Sequence, residues 1–368
     1  MAEMIVDQRE CVRKVTNSNI HPVCSDISRV KGLLRVLGTA TCCLLVLALL
    51  PAPPASAGYV VDAFDKYAGR SRTYLAYKDD TGSIFEVRFT ASQPGEQRRL
   101  RGQLELIAPK SISDDMVVAR HAIRCGPAQV NVEEYEQVYG VRNILRGQTY
   151  IQKPRWTYTA PEPGEYRCFL WLGTGRPRPS GKKTSSNILK VGWKSHLEAT
   201  EPLNPASAQS FDPNVPSRRL IKGKAADENV LTWTAPASVT SFSASGDTYL
   251  TTCTAVSGST DPVTGKRLCE GYAKLYGSDI NTRLVVGQLR SDGSGYCALH
   301  YSPSKSGRKT HINRDIHHVV LNHSKAIPVK TGSGCGRTFR IKVLVKNVAG
   351  AAIVVHRQGT LTSAIPPK

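Results

Sequence analysis

Along most of the chain, apolar and polar residues alternate with a period of two. In Ser83–Ala91 (SIFEVRFTA), Phe85, Val87 and Phe89 fall on one side and Ile84, Glu86, Arg88 and Thr90 on the other, which is the pattern of a strand with one buried face. Arg72–Lys78 alternates likewise, with Thr73, Leu75 and Tyr77 together. Asp79-Asp80-Thr81-Gly82 supplies turn residues between the two segments, so they are expected to form a hairpin. Leu104–Ala108, Val117–Cys125 and Gly164–Leu172 continue the series. From residue 229 it resumes in Val230–Thr234, Ser238–Ala244, Tyr249–Ala255, Leu284–Leu289, Gly295–Tyr301, His317–Leu321, Phe339–Val345 and Ala351–His356. Only Glu270–Tyr276 offers a modest helical candidate, so an all-β protein is expected.

Two stretches break the alternation. Val36–Leu50 is uncharged and mostly apolar, follows Arg29, Lys31 and Arg35, and leads through a Pro-containing neck to Ala55-Ser56-Ala57. A basic flank, a short apolar run and a small-residue cleavage triplet are the parts of a secretory signal peptide. The run is shorter than the roughly 20 residues that span a bilayer, and Pro51, Pro53 and Pro54 end it as a helix. If it were not cleaved, it would anchor the chain with the remainder facing outward. The second break is 197–228, with four prolines and no sustained periodicity, which reads as a linker. The expected organisation is a leader and signal peptide at 1–57, a β-sandwich domain at 58–196, the linker at 197–228 and a second β-sandwich domain at 229–368.

The leader divides the cysteines. Cys11, Cys24, Cys42 and Cys43 precede the cleavage site, leaving Cys125, Cys168, Cys253, Cys269, Cys297 and Cys335. An even count in an exported chain implies disulfides, here three. Cys125 to Cys168 spans 43 residues and Cys253 to Cys297 spans 44; both first cysteines close alternating strands, and both second ones follow a Gly and a Tyr (GEYRC, GSGYC). If the halves are distant repeats, the second pairs Cys253–Cys297 and leaves Cys269–Cys335; the rival is Cys253–Cys269 with Cys297–Cys335.

Gly164–Leu172 (GEYRCFLWL) places Tyr166 two residues before Cys168 at the start of an apolar strand. This resembles the tyrosine corner of immunoglobulin-like sandwiches, which implies that Tyr166 ties back to backbone and that Cys125–Cys168 bridges two sheets. The position of Trp156, twelve residues before the second cysteine, departs from that family. The A-S-A leader, the Ala/Gly/Pro/Arg-rich usage and the paired cysteines look like a secreted actinobacterial protein, a resemblance that names no functional family.

Catalytic patterns are weak. Ser291-Asp292-Gly293-Ser294-Gly295 is not a nucleophile elbow, Gly332–Gly336 lacks the ending of a phosphate loop, and Glu133, Glu134 and Glu136 have no second carboxylate group at a recognisable spacing. His311, His317, His318 and His323 lie close in sequence, and with His300 they raise a metal-binding alternative. His317 and His323 share a face but are about 20 Å apart on a straight strand, too far for one ion. No cofactor is expected.

Charge changes the picture more. The leader carries six Lys/Arg and four Asp/Glu, so the remainder keeps +18 of the chain's +20. Basic residues cluster as Arg98, Arg99 and Arg101, as Arg176, Arg178, Lys182 and Lys183, and as Arg218 and Arg219 with Lys222 and Lys224. A cationic exported protein attracts anionic partners. The expectation is a secreted, non-enzymatic protein that binds an anionic cell-envelope polymer, a polysaccharide or a protein, without a nucleic-acid fold. A secreted hydrolase with a site assembled from distant residues is the alternative.

Overall fold

The computed structural model describes residues 59–61, 72–75, 81–175, 188–212, 214–253, 277–313, 316–332 and 334–368. The leader lies outside them, as does the helical candidate Glu270–Tyr276. The described residues form an all-β protein of four antiparallel sheets. Among them no helix is long and apolar enough to cross a membrane.

The first sheet has the order β1 (Tyr59–Val61), β3 (Thr81–Ala91), β9 (Gly164–Gly175), β5 (Met116–Pro127) and β6 (Glu136–Leu145). The second is built on β4 (Gln97–Ile107). One side of β4 carries β8 (Arg155–Thr159) and β7 (Thr149–Gln152); the other carries β11 (His196–Ala199) and β10 (Ile188–Val191), and β10 pairs onward with β2 (Arg72–Leu75). The two sheets close on one core that includes Phe85, Leu104, Ile123, Tyr166 and Leu170. Burying each such side chain contributes about 1.5–3 kcal/mol.

The expected hairpin is not formed. β2 and β3 belong to different sheets, because β2 finds its partner in β10, more than a hundred residues later, and β3 finds its partners in β1 and β9.

The third sheet has β12 (Ala208–Ser210) and β13 (Arg218–Leu220) on one side of β21 (Ile353–Ile365), followed by β15 (Ser241–Thr252) and β19 (His318–Pro328). The fourth runs β14 (Ala225–Thr234), β20 (Cys335–Gly350), β16 (Gly277–Arg290) and β17 (Tyr296–Ser302), with β18 (Arg308–Asn313) also on β16. Their cores centre on Trp233, Phe242 and Phe339 at one end and on Leu250, Ile280 and Val343 at the other.

The stretch 197–228 is not a free connection. It supplies part of β11 to the second sheet, all of β12 and β13 to the third, and the first residues of β14 to the fourth. Pro202, Pro205 and Pro216 lie between these strands, where a missing N–H costs no ladder bond. A satellite core of Val118, Val141, Tyr249 and Val320 joins the first sheet to the third, so the two halves share buried surface.

Cys125 and Cys168 are bonded. They are direct register partners on β5 and β9, so the bond lies within one sheet and does not bridge two, contrary to the immunoglobulin-like expectation. Cys297 is bonded to Cys335, which overturns the repeat-based pairing Cys253–Cys297 with Cys269–Cys335. The reason is topological. Cys297 and Cys335 flank the end of β16 in the fourth sheet, whereas Cys253 follows β15 in the third. Cys253 is also disulfide-bonded, to a partner outside the described residues. Such bonds belong to an oxidising compartment.

Candidate functional site

β4 passes beneath the junction of the two halves, and its alternation decides what is presented there. Leu100, Leu104 and Leu106 point into the first core, so Arg99, Arg101, Gln103 and Glu105 take the outer face. β8 aligns Arg155 with Arg101 and Thr157 with Arg99, while β11 aligns His196 with Gln103 and Glu198 with Arg101. The opposite wall comes from the second half, with Ser243, Ser245, Asn322, Ser324 and Ile365. With Arg99, Arg101, Gln103, Arg155, His196 and Glu198 they line a cleft of about 490 Å³.

Arg99 forms its floor. The residue is 4 % exposed, and its guanidinium donates to Thr157 Oγ1 (2.8 Å), Ser363 Oγ (3.2 Å) and Ser245 Oγ (2.9 Å). All three acceptors are neutral hydroxyls, and among the described residues no carboxylate lies within ion-pair distance of it. Burial lowers its pKa to about 9, and the neighbouring Arg155 and Arg101 push the same way while Asp247 opposes them. At neutral pH it stays charged, and a buried cation without a counter-charge is costly.

Arg155 has a partner. It grips the Asp247 carboxylate through Nε at 2.9 Å from both oxygens and donates from Nη2 to the His323 carbonyl at 2.6 Å, tying the first half to β15 and β19. Asp247 is buried and fully engaged. Asn322 Nδ2, in the cleft wall, is buried with no hydrogen-bond partner. Arg101 is exposed, 3.8 Å from Glu198, and Lys153 adds a further exposed cation.

The predicted basic residues are therefore divided. Arg98 is buried and spends its donors inside the protein, on Glu96 (3.0 Å), the Thr200 carbonyl (3.2 Å) and the Thr90 carbonyl (3.1 Å), with its guanidinium over the Phe89 ring. It is a structural cation, because it falls on the core side of β4. Arg99 and Arg101 reach the cleft. Arg218 sits on β13, 3.8 Å from the buried Glu228, and Arg219 pairs with Val354 in the same short strand; neither lines the cleft. Arg176, Arg178, Lys182 and Lys183 lie outside the described residues.

Sequence reading missed Arg155, Asp247 and Asn322, whose roles depend on a junction between segments far apart in the chain. One signal was present: Asp247 is a lone carboxylate within the otherwise uncharged strand Ser241–Thr252.

The histidines do not assemble a metal site. His318 Nδ1 and His356 Nε2 share the Thr251 hydroxyl at 2.8 and 2.7 Å, and Tyr249 stacks on His356 at 4.2 Å. Among the described residues no group of three His, Cys, Asp or Glu side chains is placed to hold a metal. Burial lowers the pKa of His318 to about 2 and those of His121, His323 and His356 to about 4, so all four are neutral at neutral pH.

No family model matches the sequence. No curated protein matches it either. Among solved structures, the chain is similar to the N-terminal CBM22-1-CBM22-2 tandem domain from Paenibacillus barcinonensis Xyn10C, with 11% identity, coverage of 86% of this chain and 100% of that one, and a TM-score of 0.23. It is also similar to a chain of the T13 infectious bursal disease virus particle, with 9% identity, coverage of 88% and 78%, and a TM-score of 0.25. At these scores neither likeness carries an argument about function.

Proposed function

We propose that this is a secreted, non-enzymatic protein of two tandem β-sandwich units that binds an anionic macromolecule in the cleft between them. Of the immunoglobulin-like features, the reading keeps only the tyrosine corner of the first unit, where Tyr166 Oη donates to the Glu162 carbonyl at 2.7 Å. The observation that carries the function is Arg99, a buried cation at the floor of an open cleft whose side-chain partners among the described residues are hydroxyls. An arriving anionic group would offset its desolvation and relieve the repulsion among Arg99, Arg101 and Arg155. Among the described residues, the carboxylates at or near this cleft are engaged by arginines: Asp247 by Arg155, and Glu198 at 3.8 Å from Arg101.

Dextran sulfate and uncharged dextran test the reading by titration calorimetry at low and physiological salt. Binding is expected for the sulfated polymer only, weakening as salt rises, and weakened further by Arg99→Met and Arg101→Ala. Binding of dextran sulfate that is indifferent to salt and to both substitutions would refute the cleft as the site.

A further inference from the structure

The cleft does not end where the second half stops covering β4. The outer face of the second sheet continues along Arg101 and Gln103 to Glu105, which is buried against the β10–β11 turn about 20 Å from Arg99 at the rise of a strand. At its far end the β10–β11 turn carries Trp193, which is 70% exposed, and β7 presents the exposed Ile151 opposite Glu105. A tryptophan left in water is notable only if something holds it there, and here the turn beneath it is fixed.

Gly192 N donates to the Glu105 carbonyl at 2.7 Å, Glu105 N to Ser195 Oγ at 2.9 Å, Lys194 N to Glu105 Oε2 at 3.3 Å, and Gln103 Nε2 to the Lys194 carbonyl at 2.8 Å. Gly192 leaves no room for a side chain, since an added Cβ would sit 2.0 Å from Glu105 Oε2. The exposed indole is thus carried by a turn already ordered by backbone and side-chain bonds, so little ordering entropy remains to be lost when a ligand arrives. Lys194 Nζ lies 5.5 Å from the centroid of the same ring, which places a cation beside the aromatic surface.

We propose that this face binds a linear acidic polysaccharide, lying along β4 from the Arg99 floor to Trp193. The inference rests on the anion-binding reading of the cleft and names its ligand class. Three features select a charged sugar chain. Arg99, Arg101 and Lys194 meet carboxylates. Trp193 offers a flat apolar surface to the C–H face of a sugar ring. Glu198 and Gln103, set among the cations, accept hydrogen bonds from hydroxyl groups. A phosphodiester or polyphosphate chain brings negative charge without sugar hydroxyls in that density, so it fits the same face less well.

The test uses the full chain and four polymers: polygalacturonate, its methyl ester, polyphosphate and single-stranded oligothymidylate. Polygalacturonate is expected to bind most tightly and to change Trp fluorescence. Trp193→Ala, a change at an exposed position, should weaken polygalacturonate about tenfold, in the range of aromatic stacking on a ring, and leave polyphosphate unchanged. Arg101→Ala should weaken both. Polyphosphate or oligothymidylate binding as tightly as polygalacturonate, or polygalacturonate affinity unmoved by Trp193→Ala, would overturn the polysaccharide assignment while leaving the cationic cleft in place. Failure of every polyanion to bind would overturn both.

Discussion

Acid should destabilise the fold before the ordinary carboxylate range is reached. His121 on β5, His323 on β19 and His356 on β21 are buried and neutral, each with a pKa lowered to about 4 by desolvation from the ordinary 6.5. Because the folded value lies below the unfolded one, the unfolded chain binds more protons between those limits. The contribution to stability is complete above pH 6.5 and is lost as pH falls toward 4. At 1.36 kcal/mol per pH unit, each histidine accounts for about 3 kcal/mol over the whole window, and about 2 kcal/mol has gone by pH 5. Three such groups together approach about 6 kcal/mol at pH 5, within the 5–15 kcal/mol that ordinarily separates folded from unfolded domains.

His318, held lower still, acts in the same direction. The raised pKa of Glu228, caused by burial, acts in the opposite one, and the lowered values of Glu86 and Glu96 matter only at more acid pH. Urea unfolding followed by tryptophan fluorescence at pH 7.5, 6 and 5 measures the effect. The expected result is a midpoint that falls steeply between pH 6 and 5, with His323→Gln flattening the dependence. A stability that changes by less than about 1 kcal/mol between pH 7.5 and 5 would refute the reasoning.

Two further outcomes probe the scaffold. Tyr166→Phe removes the bond to the Glu162 carbonyl while keeping the ring stacked on Phe89, and should cost about 1 kcal/mol in urea unfolding with no loss of polyanion binding. Gly140→Ala places a methyl group 2.7 Å from His121 Nε2 and 2.8 Å from Val320 Cγ2, across the contact between halves; it should cost about 1–3 kcal/mol and weaken dextran sulfate binding by disturbing the cleft geometry.

Much of the architecture was readable from local pattern. The strands at 83–91, 117–125, 164–172, 284–289 and 339–345 stand where the alternation puts them, because a half-buried strand writes its periodicity directly into the chain. The tie of Tyr166 back to backbone was legible for the same reason: the tyrosine and its acceptor are four residues apart. Pairing was not legible. Cys297 chooses Cys335 and β2 chooses β10 because of which sheet each strand enters, and the spacing of two cysteines carries no information about that.

The candidate site shows the same division. Sequence alone placed a cluster of arginines at 98–101 and made it a candidate for anion binding, since charge and spacing are properties of the chain. Tertiary structure decided that Arg98 faces inward onto Glu96, that Arg99 faces Ser245 and Ser363 from the other half, and that Arg101 reaches solvent. One residue of strand register separates a cation spent inside the fold from one presented at the cleft, and register is set by what packs on each face of β4. Trp193 follows the same rule. It is one of four tryptophans in the sequence, and only the bonded turn beneath it holds it out in water beside the cleft.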